Sequence, residues 1–133
     1  MPAAWSRRRP CLGAAKITLV GALGGPRSDH AFSHLVLALR YFRQGVDIAL
    51  RDGAESAYPL SATARRFDLA VGAQFSILKF SAVRGLTIGG AKWPLEDVDL
   101  PLTSILTQSN EAAGPVTVTV AEGEALLLAQ DDP

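Results

Sequence analysis

Residues 116–121 read Val-Thr-Val-Thr-Val-Ala, an alternation of apolar and polar side chains. A β-strand sends successive side chains to opposite faces, so this pattern fits a strand with one buried face and no helix. Gly123 turns the chain, and residues 125–129 return as Ala-Leu-Leu-Leu-Ala. Upstream, residues 46–51, 56–60, 64–69, 74–80 and 84–88 form further short apolar or β-branched runs. Asp52-Gly53 ends the first of these as a turn signal, and Ala70-Val71-Gly72 interrupts the series. Short strands at this spacing, with Gly and Pro between them, predict a β-sandwich.

The pattern is different before residue 46. Lys16–Val20 (KITLV) reads as a buried strand running into a glycine-rich loop. Residues 31–44 read as an amphipathic helix, with Phe32, Leu35, Val36, Leu39 and Phe42 on one face. Arg40 and Arg43 suit its last turn and Gly45 its end, and Ser28 or Asp29 suits its cap. A strand, loop and helix in this order aim backbone N–H groups at an anion. The loop is Gly-x-x-Gly-Gly, neither a Walker motif nor a dinucleotide fingerprint, and a tight turn explains it equally well. Arg27 adds a guanidinium able to grip phosphate in bidentate fashion. The fold class expected is α+β: mainly β-sandwich over residues 46–130, preceded by a strand-loop-helix remnant of an α/β domain over residues 16–45.

Composition removes several function classes. The formal net charge is zero, which supplies no general attraction to nucleic acid or to an anionic membrane. No apolar run is long enough to span a bilayer. The single cysteine, Cys11, cannot form an internal disulfide, and a reducing cytoplasm is the expected location. Residues 1–15 carry Arg7-Arg8-Arg9, no acidic residue and no periodicity. They lack the apolar stretch of a secretory signal and are expected to be poorly ordered or foreign to the rest of the chain. Residues 131–133 read as a solvated tail.

The chemistry concentrates in residues 85–111. Gly89-Gly90 breaks a strand, Lys92-Trp93-Pro94 places a large indole on an irregular segment, and Gln108-Ser109-Asn110-Glu111 is polar throughout. An indole face beside a hydroxyl and an amide suits a flat, polar, cationic heterocycle. Trp93 also reads as packing, and Ser109-Asn110 as a plain turn pair. His30 and His34 have the spacing of metal ligands on a helix, but no Cys or Glu completes a zinc site nearby. Glu96, Asp97 and Asp99 follow Pro94 in a loop-like stretch and read as a solvated rim rather than a metal site.

Two motifs carry a family resemblance. Gly-Gly-Ala-Lys-Trp-Pro-Leu at 89–95, followed by Ser-Asn-Glu at 109–111, resembles the thiamine-binding module at the C-terminal end of thiamine pyrophosphokinases. Gly-Ala-Leu-Gly-Gly-Pro-Arg-Ser-Asp-His at 21–30 resembles that family's glycine-rich loop, with one residue more than the usual Gly-Gly-Arg-x-Asp-His. The resemblance covers residues 16–130 and implies that the strand-loop-helix belongs to a Rossmann-like catalytic domain. It implies Gly24, Gly25, Arg27 and His30 at the nucleotide phosphates, Asp29 as the catalytic carboxylate, and Trp93, Ser109 and Asn110 at thiamine. It further implies ATP with Mg²⁺ as co-substrate and a homodimer with thiamine between the sandwich domains. The family's metal-binding patterns, Gly-Asp-x-Asp-Ser and Lys-Asp-x-Thr-Asp, do not occur here. The chain is therefore expected to be the C-terminal, N-terminally truncated part of such an enzyme, inactive or weakly active alone. The alternative is a non-catalytic sandwich that only binds thiamine or dimerises.

Overall fold

The computed structural model describes residues 16–23 and 27–130. Residues 1–15, with Cys11, the loop residues Gly24, Gly25 and Pro26, and the tail 131–133 lie outside them. Three layers stack: one helix, a five-stranded sheet, and a second sheet that closes the sandwich. In chain order the elements are β1 (Lys16–Val20), α1 (Ser28–Arg43), β2 (Asp47–Asp52), β3 (Glu55–Pro59), β4 (Arg65–Phe67), β5 (Gln74–Lys79), β6 (Val83–Ala91), β7 (Leu95–Leu100), β8 (Asn110–Glu122) and β9 (Ala125–Gln130).

The first sheet runs β1-β2-β3-β9-β5. β1 and β2 are parallel, with Thr18 opposite Ala49, and α1 makes the crossover between them. The expected division at residue 45 falls inside this βαβ unit, and the sheet continues from β2 into β3 through Leu50 opposite Ala57. The second sheet centres on β8, flanked by β4 and β6, with β7 at its edge. β8 also joins the first sheet, because Asn110 and Glu111 pair with Phe75 and Gln74 before the strand crosses over.

β9 shows why this stack holds. Its residues alternate between the layers: Leu126 packs with Leu35, Leu39, Ile48 and Leu50 under α1. Leu127 packs with Phe75, Ile77, Leu86, Val118 and Val120 inside the sandwich. A strand covered on both faces must be apolar at nearly every position, and residues 125–129 satisfy this. Leu127 is fully buried, so Leu127→Ala is expected to cost about 2–5 kcal/mol in urea unfolding.

Several expectations are corrected. The helix starts at Ser28, and Arg27 is its N-cap with no side-chain cap bond. Neither Ser28 nor Asp29 occupies the cap position: both lie inside the first turn, where the Asp29 carboxylate pairs with the Arg27 guanidinium and accepts from the His30 N–H. The predicted apolar face is only partly covered: Leu35 and Leu39 are buried, while Phe32 and Val36 remain exposed. Residues 95–100, expected to be a loop, form β7. Leu95, Val98 and Leu100 pair with Ile88, Leu86 and Val83 through two irregularities. Glu96, Asp97 and Asp99 are exposed on this edge strand, where charges discourage pairing with another chain. β6 passes through Gly89-Gly90 to Ala91 rather than ending at Ile88, because its partner β8 accommodates a bulge there. The strand expected at 116–121 begins at Asn110, and Gly114-Pro115 sits within it.

Candidate functional site

The connection between β6 and β7 carries Lys92, Trp93 and Pro94 at one end of the sandwich. Gly90 makes the approach possible. Its φ is 77°, and a Cβ there would lie 2.0 Å from the Pro115 carbonyl oxygen of β8. Beyond this bulge the tip is bonded to the start of β8. The Lys92 N–H donates to the Glu111 carbonyl at 2.8 Å. The Trp93 N–H donates to Asn110 Oδ1 at 3.2 Å, and Asn110 Nδ2 donates to the Trp93 carbonyl at 2.8 Å.

Trp93 is 53% exposed, so it is no core residue. The Lys92 ammonium lies 4.7 Å from its ring centroid, and Glu111 lies 3.9 Å from that ammonium. The aromatic face is thus already placed where it attracts a cation. Ser109 is exposed and adopts φ 61°, a left-handed conformation uncommon for a non-glycine residue. Its N–H donates to Ser76 Oγ at 2.9 Å. Ser76 is a supporting residue that sequence reasoning missed; it stands 33 residues away, and only the β5–β8 junction brings the two together. Asn110 is buried at 6% exposure, and its amide is bonded to main chain at Trp93 and Glu111.

The second group lies at the start of α1. Arg27 holds Asp29 in a two-point pair, Nε to Oδ1 at 3.1 Å and Nη2 to Oδ2 at 2.6 Å. That guanidinium keeps the Asp29 carboxyl below its ordinary pKa, aided by the His30 N–H. A depressed carboxyl stabilises the fold above the ordinary carboxylate range and loses this effect as pH falls, and here solvent screens it. His30 is exposed. His34 donates from Nδ1 to the Ala22 carbonyl at 2.7 Å, which ties α1 to the end of β1. Among the described residues no three His, Cys, Asp or Glu side chains come together as a metal site.

A groove of about 500 Å³ runs between α1, β5 and the segment after β7. Its wall extends from Phe32, two residues past His30, to Gln108, next to Ser109. Lys79 projects into it and donates to the Ser104 carbonyl at 2.6 Å, and burial pushes its ammonium pKa down. The structure therefore brings Trp93 and Asn110 into direct contact with Ser109 adjoining. Arg27, Asp29 and His30 form a separate group at the start of α1. Gly24 and Gly25 lie outside the described residues.

Residues 65–124 match the family model described as thiamin pyrophosphokinase, vitamin B1 binding domain. This part of the sandwich is similar to the vitamin B1 binding domain of thiamin pyrophosphokinases. The match contains Gly89-Gly90, Trp93, Ser109 and Asn110, and stops short of the β1–α1 unit. Solved thiamin pyrophosphokinases share the fold over most of this chain. That from Bacillus subtilis superposes with a TM-score of 0.80 at 22% identity, over 90% of this chain and 57% of its own. That from Geobacillus thermodenitrificans gives 0.77 at 26% identity, over 90% and 56%. That from Candida albicans gives 0.74 at 13% identity, over 88% and 44%. The chain thus spans less than two thirds of the length of these thiamin pyrophosphokinases. No curated protein matches its sequence. No helix among the described residues is long and apolar enough to cross a membrane.

Proposed function

We propose that this chain binds thiamine at the Trp93–Ser109 site and serves a cytoplasmic thiamine diphosphokinase as its vitamin-binding part. The observation that carries this reading is the half-exposed Trp93, whose main chain is bonded to Asn110, the residue next to the exposed Ser109, all within the segment that matches the family model. The thiazolium is a cation and stacks on the indole, while the Ser109 hydroxyl meets the aminopyrimidine. In the proposed reaction the thiamine hydroxyl oxygen bonds to the β-phosphorus of ATP. The bond from that phosphorus to the α,β-bridging oxygen breaks, AMP leaves, and the hydroxyl proton is released. Arg27 and His30 would face the phosphates. Asp29, kept ionised by Arg27, would lie near the thiamine hydroxyl.

Mg²⁺ does not fit the described residues alone. Phosphoryl transfer needs the metal clamped by carboxylates, and the single carboxylate of Asp29 is already paired with Arg27. We therefore propose that the remaining phosphate-handling groups lie outside these residues. A second copy is proposed to cover Leu102, Ile105 and Leu106, which precede Ser109 at 52%, 78% and 59% exposure, more apolar surface than a solvated loop needs.

Calorimetry with thiamine, beside an AMP-release assay with ATP and Mg²⁺, tests the reading. The expected result is saturable 1:1 binding with little or no AMP release. Absence of binding removes the vitamin-binding reading, and turnover at a rate ordinary for an enzyme removes the claim that catalytic groups lie elsewhere. Binding by a chain that releases no AMP even with an α/β partner polypeptide present would favour the non-catalytic alternative.

A further inference from the structure

Asn110 belongs to the polar run that pointed to a ligand, but its amide is directed into the protein. We infer that Asn110 is a positioning residue: it holds the Trp93 main chain, and with it the Cα–Cβ bond from which the indole projects, at the sandwich end. The inference rests on the thiamine-site reading for what the indole does, and on geometry alone for how the indole is held.

Three hydrogen bonds define the arrangement. Oδ1 accepts from the Trp93 N–H at 3.2 Å and from the Glu111 N–H at 2.8 Å, and Nδ2 donates to the Trp93 carbonyl at 2.8 Å. The partners dictate which way the amide faces, since an N–H can only donate and a carbonyl can only accept. A two-point bond to one residue constrains both its position and its orientation. Within the tip 92–94 the main chain is otherwise tied to β8 by the Lys92 N–H on the Glu111 carbonyl, which holds Lys92 and not Trp93, and Pro94 has no N–H to contribute. Asn110 is itself held firmly, because it opens β8, pairs with Phe75 and is buried at the junction of the two sheets. The indole is thereby referred to the rigid centre of the sandwich, although it sits on a connection. A binding group supported in this way loses less freedom when the ligand arrives.

The side chain required is specific. Aspartate keeps the two acceptances and loses the donation, and leucine loses all three. Amide hydrogen exchange read residue by residue, with thiamine calorimetry, tests this on the full chain. In the unsubstituted protein the Trp93 amide is expected to exchange about 100-fold more slowly than in an unstructured peptide. Asn110→Asp is expected to speed that amide modestly, and Asn110→Leu by about tenfold or more. The thiamine Kd should rise in the same order, with the Ser109 amide, bonded to Ser76, unchanged in Asn110→Asp. A rise in Kd with no change at the Trp93 amide would mean that Asn110 touches the ligand itself, and would overturn the inference. An unprotected Trp93 amide in the unsubstituted chain overturns it without any variant, which covers the case in which Asn110→Leu does not fold. If the unsubstituted chain binds no thiamine, the vitamin reading fails, and the exchange order still decides whether Asn110 holds the tip.

Discussion

Trp93→Ala is expected to weaken thiamine binding by about 30- to 100-fold while shifting the unfolding midpoint very little. The affinity estimate combines about 1–2 kcal/mol of cation–π attraction with the apolar area that ligand and indole bury against each other. Together these give roughly 2–3 kcal/mol, and each 1.4 kcal/mol is about tenfold in Kd. The small stability effect follows from the 53% exposure of Trp93 and from the main-chain bonds to Asn110, which alanine retains. Trp93→Phe should recover part of the affinity, since a smaller ring keeps a weaker face. Calorimetry with a parallel thermal melt separates the two quantities. Unchanged affinity in Trp93→Ala would remove the indole from the site, and a large loss of stability would make it a packing residue after all.

Gly90→Ala is expected to destabilise the protein by about 3 kcal/mol or more, whereas Gly89→Ala should stay within about 1 kcal/mol. Two causes add at Gly90. Its φ of 77° is strained for any residue with a Cβ, and the added carbon would meet the Pro115 carbonyl oxygen at 2.0 Å. That oxygen belongs to the backbone of β8, whose neighbour Val116 is fully buried, so it cannot yield as a flexible side chain would. At Gly89 nothing lies within 4 Å of the added carbon and φ is not in the left-handed region, so alanine is accommodated. Urea unfolding of the two variants gives the comparison. The thiamine Kd of Gly90→Ala should rise as well, because displacing β6 from β8 moves the Trp93 tip that follows. Equal stability of the two variants would show that the bulge is not rigid.

The hydrophobic period was enough to find the helix within three residues at its start, the strands β1, β2, β3, β5 and β9, and the core of β8. Alternation and apolar runs are local consequences of burial, so they survive in one dimension. β7 was hidden because Leu95, Val98 and Leu100 face inward across bulges, at spacings that match neither a strand nor a helix. The first part of β8 was hidden because Gly114-Pro115 reads as a break, and only pairing with β5 and β6 shows that the strand runs through it.

Residue types alone determined the ingredients of the candidate site: an indole held off the ladder by proline, a hydroxyl and amide side by side, and a glycine pair before them. They also determined the family likeness, since both motifs are contiguous in the chain. The tertiary structure alone decided how those ingredients are used. Asn110 and Trp93 stand 17 positions apart, and nothing local shows that the amide of one closes on the main chain of the other. Ser76 acquires its part only because β5 and β8 meet. Hydrogen bonds between distant segments depend on register and on where a strand leaves one sheet for another, and those are properties of the packed chain rather than of any stretch of it.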